Sequence, residues 1–385
     1  MSAAKLTLLL YASTAGVFTI GLILFPDEAY EGAYRGLYIW WDTVMPTLLP
    51  FFVLAELLLA FGIVGALGVL CEPLMRKSFR LPGSAGFALA LGFVSGYPAG
   101  AKYTARLYNE HKLNKAEAAH LLAFTNAANP AFIFGAVAAG FMHNPSLGLT
   151  LAIAHYGGNL ATGWCFKFSH AKIYEHEAER SMLREAFEQL FREGLSDNRP
   201  LGQKLGDAVQ NAVQTLLVIG GFMTFFSVLL SLTDSFGVLT WLNYAGAGLL
   251  AFAGSTPAYS AGIITGIFEM TLGIESLADI PAAVGTQVMV ISFLLAFSGL
   301  SIQAQVVSIA RSAGIPAGTY LKARLLHGLF ASLISIALYS FLNRAAAPAS
   351  STPSAESFAL WQLPAFFVML ACLYTAYRWI VLLKS

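Results

Sequence analysis

Long apolar runs alternate with short polar breaks along almost the whole chain. A membrane-crossing helix needs about 20 apolar residues. Runs of that order fall at 5–25, 34–62, 115–142, 147–167, 206–232, 281–312, 318–343 and 358–382. Two of them are interrupted by polar residues, 115–142 at "TNAANP" and 281–312 at "SGLS". Two further stretches, 83–112 and 254–279, are broken near their centres and read as hairpins that enter and leave by one side. Residues 65–80 and 235–250 read as amphipathic or interfacial. The long polar stretch is 168–204, where "YEHEAERSMLREAFEQLFREG" has helical apolar spacing with mixed charge. That pattern predicts a helix outside the hydrocarbon. "AAAPASSTPSAES" reads as a flexible linker before the last span. The expected fold is therefore an all-α polytopic membrane protein with about eight transmembrane helices and two re-entrant helical hairpins.

Composition agrees with that class. The chain is 57% hydrophobic and 11% charged, against about 25% charged in soluble domains. It lacks the polar groups to cover itself in water. A net charge of +1 gives no basis for nucleic-acid binding. Aromatic residues at 13% suit interfacial belts. Cys71, Cys165 and Cys372 lie far apart and match no metal or redox spacing. The first run ends at Phe25-Pro26 without a small-x-small cleavage site, which favours an uncleaved span over a signal peptide.

Basic residues set the orientation. With the N-terminus inside, 20 of the 22 Lys and Arg fall on the cytoplasmic side, Arg324 among them, and only Arg35 and Arg344 fall outside. The positive-inside rule then places both termini in the cytoplasm. A full crossing by either hairpin would reverse the sorting downstream of it.

The chain also repeats itself. "PTLLPFF" at Pro46–Phe52 resembles "QTLLVIG" at Gln214–Gly220, "LLAF" recurs at 121–124 and 294–297, and His155 matches His327, at offsets of 168, 173 and 172. Each unit runs span, interfacial stretch, hairpin, interrupted span, span. Three full crossings is an odd number, so the second unit is inverted. The implied segments are 1–33 (first span), 34–167 (first repeat), 168–205 (cytoplasmic amphipathic linker), 206–343 (second repeat) and 344–385 (linker and last span). Inverted repeats with broken helices are the architecture of secondary transporters.

Broken backbone survives in a membrane only inside protein or beside a water-filled cavity. In "SGYPAGAK", Ser95 is a candidate cap, Gly96 permits close approach, and Pro98 suits a first helical position. Asn126 and Asn129 precede Pro130 in the same way. "SGLSIQAQ" supplies Ser298, Ser301, Gln303 and Gln305, and the second hairpin tip supplies Thr271. Converging helix starts favour an anion. These residues, with Tyr97 and Lys102, form the candidate substrate site. Lys102 either faces that anion or snorkels to the interface. Glu269, Glu56, His155 and His327 are candidates for coupling to H+ or Na+, and each has a structural alternative as a paired or packed group. Glu56 could pair with Arg324 or Lys102. No cofactor, metal ligand set, nucleotide-binding motif or hydrolase elbow is recognisable, so no enzyme is expected.

The run "GFVSGYPAGAKYTARLYNEHKLNKAEAAHLLAFTNAANPAFIFG" resembles the YlbJ family of sporulation integral membrane proteins, within the nucleoside-recognition (Gate) domain family. "GIFEMTLGIESLAD" and "SGLSIQAQVVSIARSAGI" resemble its second half, and the likeness covers about 35–345. Gate domains resemble the transport core of concentrative nucleoside transporters. The resemblance implies a role in endospore formation, moving dipicolinate across the outer forespore membrane. It is compatible with a homo-oligomer. A flat aromatic dianion suits helix starts, Lys102 and amide side chains. The acid-rich sugar-binding motifs of nucleoside transporters are missing from the first tip. Nucleoside:cation symport and a non-transporting spore-envelope scaffold or receptor remain the alternatives.

Overall fold

The computed structural model describes residues 3–167, 182–252, 254–281 and 283–346. The described residues form helices and turns without strands. Helix α1 is Ala3–Leu24. Helix α2, Pro26–Ala60, runs on through a π-helical turn at Trp40–Val44. Then come α3 (Ile63–Leu74), α4 (Ala85–Ser95), α5 (Ala99–Asn109), α6 (Lys115–Phe124), the π-helical α7 (Phe132–Phe141) and α8 (Leu147–Cys165). The second series is α9 (Met182–Ser196), α10 (Leu201–Ser235), α11 (Val238–Phe252), α12 (Tyr259–Phe268), α13 (Met270–Ala278), α14 (Val284–Phe297), α15 (Gly299–Ser312) and α16 (Gly318–Ala346). Four helical stretches are long and apolar enough to cross a membrane: Pro26–Ala60, Leu201–Ser235, Val284–Ser312 and Gly318–Leu342. Several others are apolar but shorter. The expected span 358–382, the linker beyond 346 and residues 168–181 lie outside the described residues.

Where the sequence broke, the helices break. The stretch 83–112 is α4–turn–α5, and 254–279 is α12–turn–α13. The run 115–142 divides into α6 and α7, and 281–312 divides into α14 and α15. Helix α6 starts on a capping box: Asn114 Oδ1 accepts from Ala116 and Glu117 N–H, and Glu117 accepts from Asn114 N–H at 2.8 Å.

The element order from α2 to α8 recurs from α10 to α16, and the contacts are exchanged between the halves. Helix α5 meets α15 as α13 meets α7, and α16 meets α6 as α8 meets α14. Helix α2 packs on α10, and α8 on α16. Gly32 lies against Ser231 and Val228, Gly36 against Thr224 and Ser227, and Trp40 against Gly220. Partner numbers fall as α2 rises, so α2 and α10 are antiparallel. Two large apolar clusters bury most of the core.

Helix α9 packs its small Ala186 inward beside α3 and leaves Leu183, Phe187, Phe191 and Leu195 exposed in one stripe. Arg324, counted as cytoplasmic, is fully buried between the halves.

Candidate functional site

Every helix begins with N–H groups that lack an internal partner. Residues at or beside four such starts, those of α5, α7, α13 and α15, line one cavity. At α5 the chain turns through Gly96, whose φ of +77° favours glycine. Ser95 is the last residue of α4, not a cap for α5. Asn126 Oδ1 serves that role from the α6–α7 break, accepting from Ala101 N–H at 2.9 Å. At α7, Asn129 Oδ1 accepts from Phe132 N–H at 2.8 Å. At α13, Glu269 Oε2 accepts from Leu272 N–H at 2.8 Å. At α15, Ser298 and Gly299 are both left-handed, with φ of 67° and 66°. Ser298 Oγ donates to Phe297 O at 2.6 Å and does not cap this start.

Between these starts lies a cavity of about 800 Å³. The hairpin tips contribute Tyr97, Pro98 and Lys102 from one half and Glu269, Met270 and Thr271 from the other. The breaks contribute Ala128, Asn129 and Phe132, and Ser301, Ile302 and Gln305. Helix α2 adds Glu56, and α10 adds Asn211, Gln214 and Thr215. Glu56 pairs with neither Arg324 nor Lys102. It accepts from Asn211 Nδ2 at 3.0 Å. Glu269 is 4% exposed. Lys102 makes no ion pair among the described residues. The lining thus holds two acids and one base, set among amides, hydroxyls and apolar side chains. Among the described residues no cluster of acids, His and Cys could hold a metal ion.

Not every candidate reaches this space. Ser95, Gly96, Asn126, Ser298 and Gln303 are absent from the lining, and the side chains of Asn126, Ser298 and Gln303 bond backbone groups around it. Gln303 Nε2, for example, donates to Phe297 O at 2.8 Å. His155 and His327 also lie away from the cavity, in a buried cluster around Arg324. That guanidinium donates to Ala123 O at 2.5 Å, Asn126 O at 2.8 Å, Ala296 O at 3.4 Å, Asn159 Oδ1 at 3.3 Å and His327 Nδ1 at 3.2 Å. Its acceptors are chiefly carbonyls at the ends of α6 and α14, where helix dipoles leave partial negative charge.

Sequence reasoning missed Arg324 as a central group and missed the α10 wall. The second was findable. Asn211, Gln214 and Thr215 follow helical spacing inside an apolar span, which puts them on one face.

Broken helices in two matching halves, set around one cavity with polar groups in a largely apolar lining, define a helical membrane protein built like a transporter core. Residues 41–145 match the family model described as nucleoside recognition (Gate). The chain is 42% identical over 356 residues to the sporulation integral membrane protein YlbJ of Bacillus subtilis (strain 168), covering 90% of this chain and 86% of that one. It therefore belongs to the YlbJ family of sporulation integral membrane proteins. No solved structure matches it.

Proposed function

We propose that this protein is a sporulation membrane transporter that moves a small organic anion, dipicolinate in the first instance, across the outer forespore membrane. In this reading the two halves are inverted repeats, α4–α5 and α12–α13 are re-entrant hairpins, eight helices span the bilayer, and both termini are cytoplasmic. One observation carries it. A single cavity is lined by both hairpin tips and both helix breaks, and four helix starts face it. Helix starts attract negative charge, and Lys102 adds a formal positive charge. No catalytic role is assigned to any residue. Dipicolinate follows from what the family resemblance implies, and the cavity chemistry is compatible with it.

Glu269 and Glu56 bear on coupling. An anion entering beside two carboxylates is repelled unless a proton or cation accompanies it. We assign that accompanying charge to Glu269, with H+ or Na+ as the ion. The test is uptake of labelled dipicolinate into liposomes carrying the purified protein. Uptake above empty liposomes is expected; none would overturn the reading.

A second reading, nucleoside:cation symport, is favoured by the nucleoside-recognition model that matches residues 41–145. Labelled uridine in the same liposomes decides between them.

A further inference from the structure

The four helix starts around the cavity are not equivalent. Side chains of the protein already cap three of them: Asn126 on α5, Asn129 on α7 and Glu269 on α13. At the fourth, α15, no side chain among the described residues accepts from a first-turn N–H. The repeat shows what is missing there. In the first half the break is closed by the α8 histidine and its neighbour. Ala128 N–H donates to His155 Nε2 at 2.9 Å, and Tyr156 Oη donates to Ala128 O at 3.0 Å. In the second half the matching histidine is drawn elsewhere. Arg324 donates to His327 Nδ1, and His327 Nε2–H donates to His155 O at 2.7 Å. The second break therefore lacks the backbone-to-histidine bond that the first break has.

An open helix start is not a site in itself. The second observation is Ser301, in the first turn of α15. It is 1% exposed, it lines the cavity, and its hydroxyl makes no hydrogen bond among the described residues. Its oxygen is not among the enclosed unpartnered atoms and so opens to the cavity, where a ligand acceptor can reach it. Helix α5 packs against α15, and Lys102 of α5 lines the same cavity without an ion pair.

We infer that the start of α15, with the Ser301 hydroxyl and the Lys102 ammonium, is the carboxylate subsite of the cavity. The first-turn N–H groups and Ser301 donate to the carboxylate oxygens, and Lys102 supplies the countercharge. The start of α13 cannot take a second carboxylate in the same way, because Glu269 already occupies it. The ligand binds with one carboxylate on α15 and turns an uncharged or proton-bearing edge toward Glu269. This inference rests on the organic-anion reading and adds the end of the cavity that the charge must face.

The test uses Ser301→Cys in the full-length protein, with Cys71, Cys165 and Cys372 replaced by Ser. The probes are pyridine-2-carboxylate, pyridine-2-carboxamide and uridine. The carboxylate should slow thiol modification at position 301 by about tenfold, and the amide should not, because ionised acceptors hydrogen-bond roughly twice as strongly as neutral ones. Binding to Ser301→Ala, measured by calorimetry, should fall by about tenfold for the carboxylate and stay unchanged for the amide, the loss of one charge-assisted hydrogen bond. Equal protection by carboxylate and amide would remove the subsite. So would a thiol at 301 that is inert in ligand-free protein. Either result combined with intact dipicolinate uptake would leave the transport reading standing. Protection by uridine, with none from either pyridine compound, would remove both.

Discussion

A guanidinium with no carboxylate beside it is costly to bury, yet Arg324 is fully buried. Taking such an ion out of water costs several kcal/mol even after relaxation. Here the offset comes from three backbone carbonyls, an amide oxygen and an imidazole nitrogen. Arg324→Met should therefore lower stability by about 3 kcal/mol or more, because buried carbonyls on α6 and α14 lose their donor. Arg324→Lys should recover little, since an ammonium lacks the planar fork that reaches both helix ends. Thermal unfolding of the purified variants checks this; melting equal to the parent protein would mean that the carbonyls find other donors. The same geometry fixes the histidines. His155 Nε2 already accepts from Ala128 N–H, and both ring nitrogens of His327 are engaged. Neither nitrogen that accepts can take a proton without losing its bond. His327→Gln should leave the pH dependence of uptake unchanged, whereas Glu269→Gln should abolish it. The opposite outcome would move coupling into the Arg324 cluster. The sequence paired the two histidines and offered packing as their alternative role, but it did not show Arg324 between them. A cation near the start of an apolar run reads as interfacial, and carbonyls freed by a helix break leave no residue signature.

At the scale of elements, the broken helices were legible because their chemistry is local. Gly, Pro, Ser and Asn interrupt apolar runs where the backbone turns, and the repeat offsets of 172 and 173 place each break opposite its counterpart. How closely the elements approach was not legible. A Cβ at Gly100 would lie 2.0 Å from Thr125 O, which wedges the first hairpin away from the α6–α7 break. Gly206 in α10 has nothing within 4 Å of the same position. Gly100→Ala should then cost about 1–3 kcal/mol through overpacking. Gly206→Ala should be neutral or stabilise slightly, since Ala is the better helix former. Equal melting of the two variants would show that the hairpin yields freely. The α9–α10 junction makes a prediction about acid. Arg199 hydrogen-bonds Asp197 and holds its carboxyl well below the usual range. The same guanidinium also contacts Asp207 at the start of α10. A depressed carboxyl stabilises the folded form above about pH 4 and loses that contribution as the pH falls further. The melting difference between parent and Asp197→Asn should accordingly shrink from pH 6 to pH 3. A difference independent of pH would show that the contact is not linked to titration.

Across the whole molecule, the two hairpin bases pack at different inter-helix turns. The base of the first hairpin contributes Leu107 and Leu113 to the apolar cluster that also holds Ala310, Ile315 and Ala317, at the α15–α16 turn. The base of the second contributes Leu277 to the cluster that holds Phe141 and Leu147, at the α7–α8 turn. These are the turns that charge sorting assigns to opposite faces. Arg35, at the outer end of α2 in that sorting, pairs with Glu275 near the second hairpin's base at 3.0 Å. The opposite end of α2 meets the start of α10, where Lys204 stands over the Phe61 ring. Burying Arg324 takes one cation out of the sorting but contradicts no loop. Both hairpins should then be re-entrant from opposite sides. Single cysteines at Ser84 and His111, in a background without native Cys, should react with an impermeant thiol reagent from one face. A cysteine at Asp279 should react from the other. If Ser84 and His111 label from opposite faces, the first hairpin crosses the bilayer, every downstream helix changes sense, and the two halves are no longer inverted. The cavity would then lose the two-sided access that alternating exposure requires, because its hairpins would no longer close it from opposite faces.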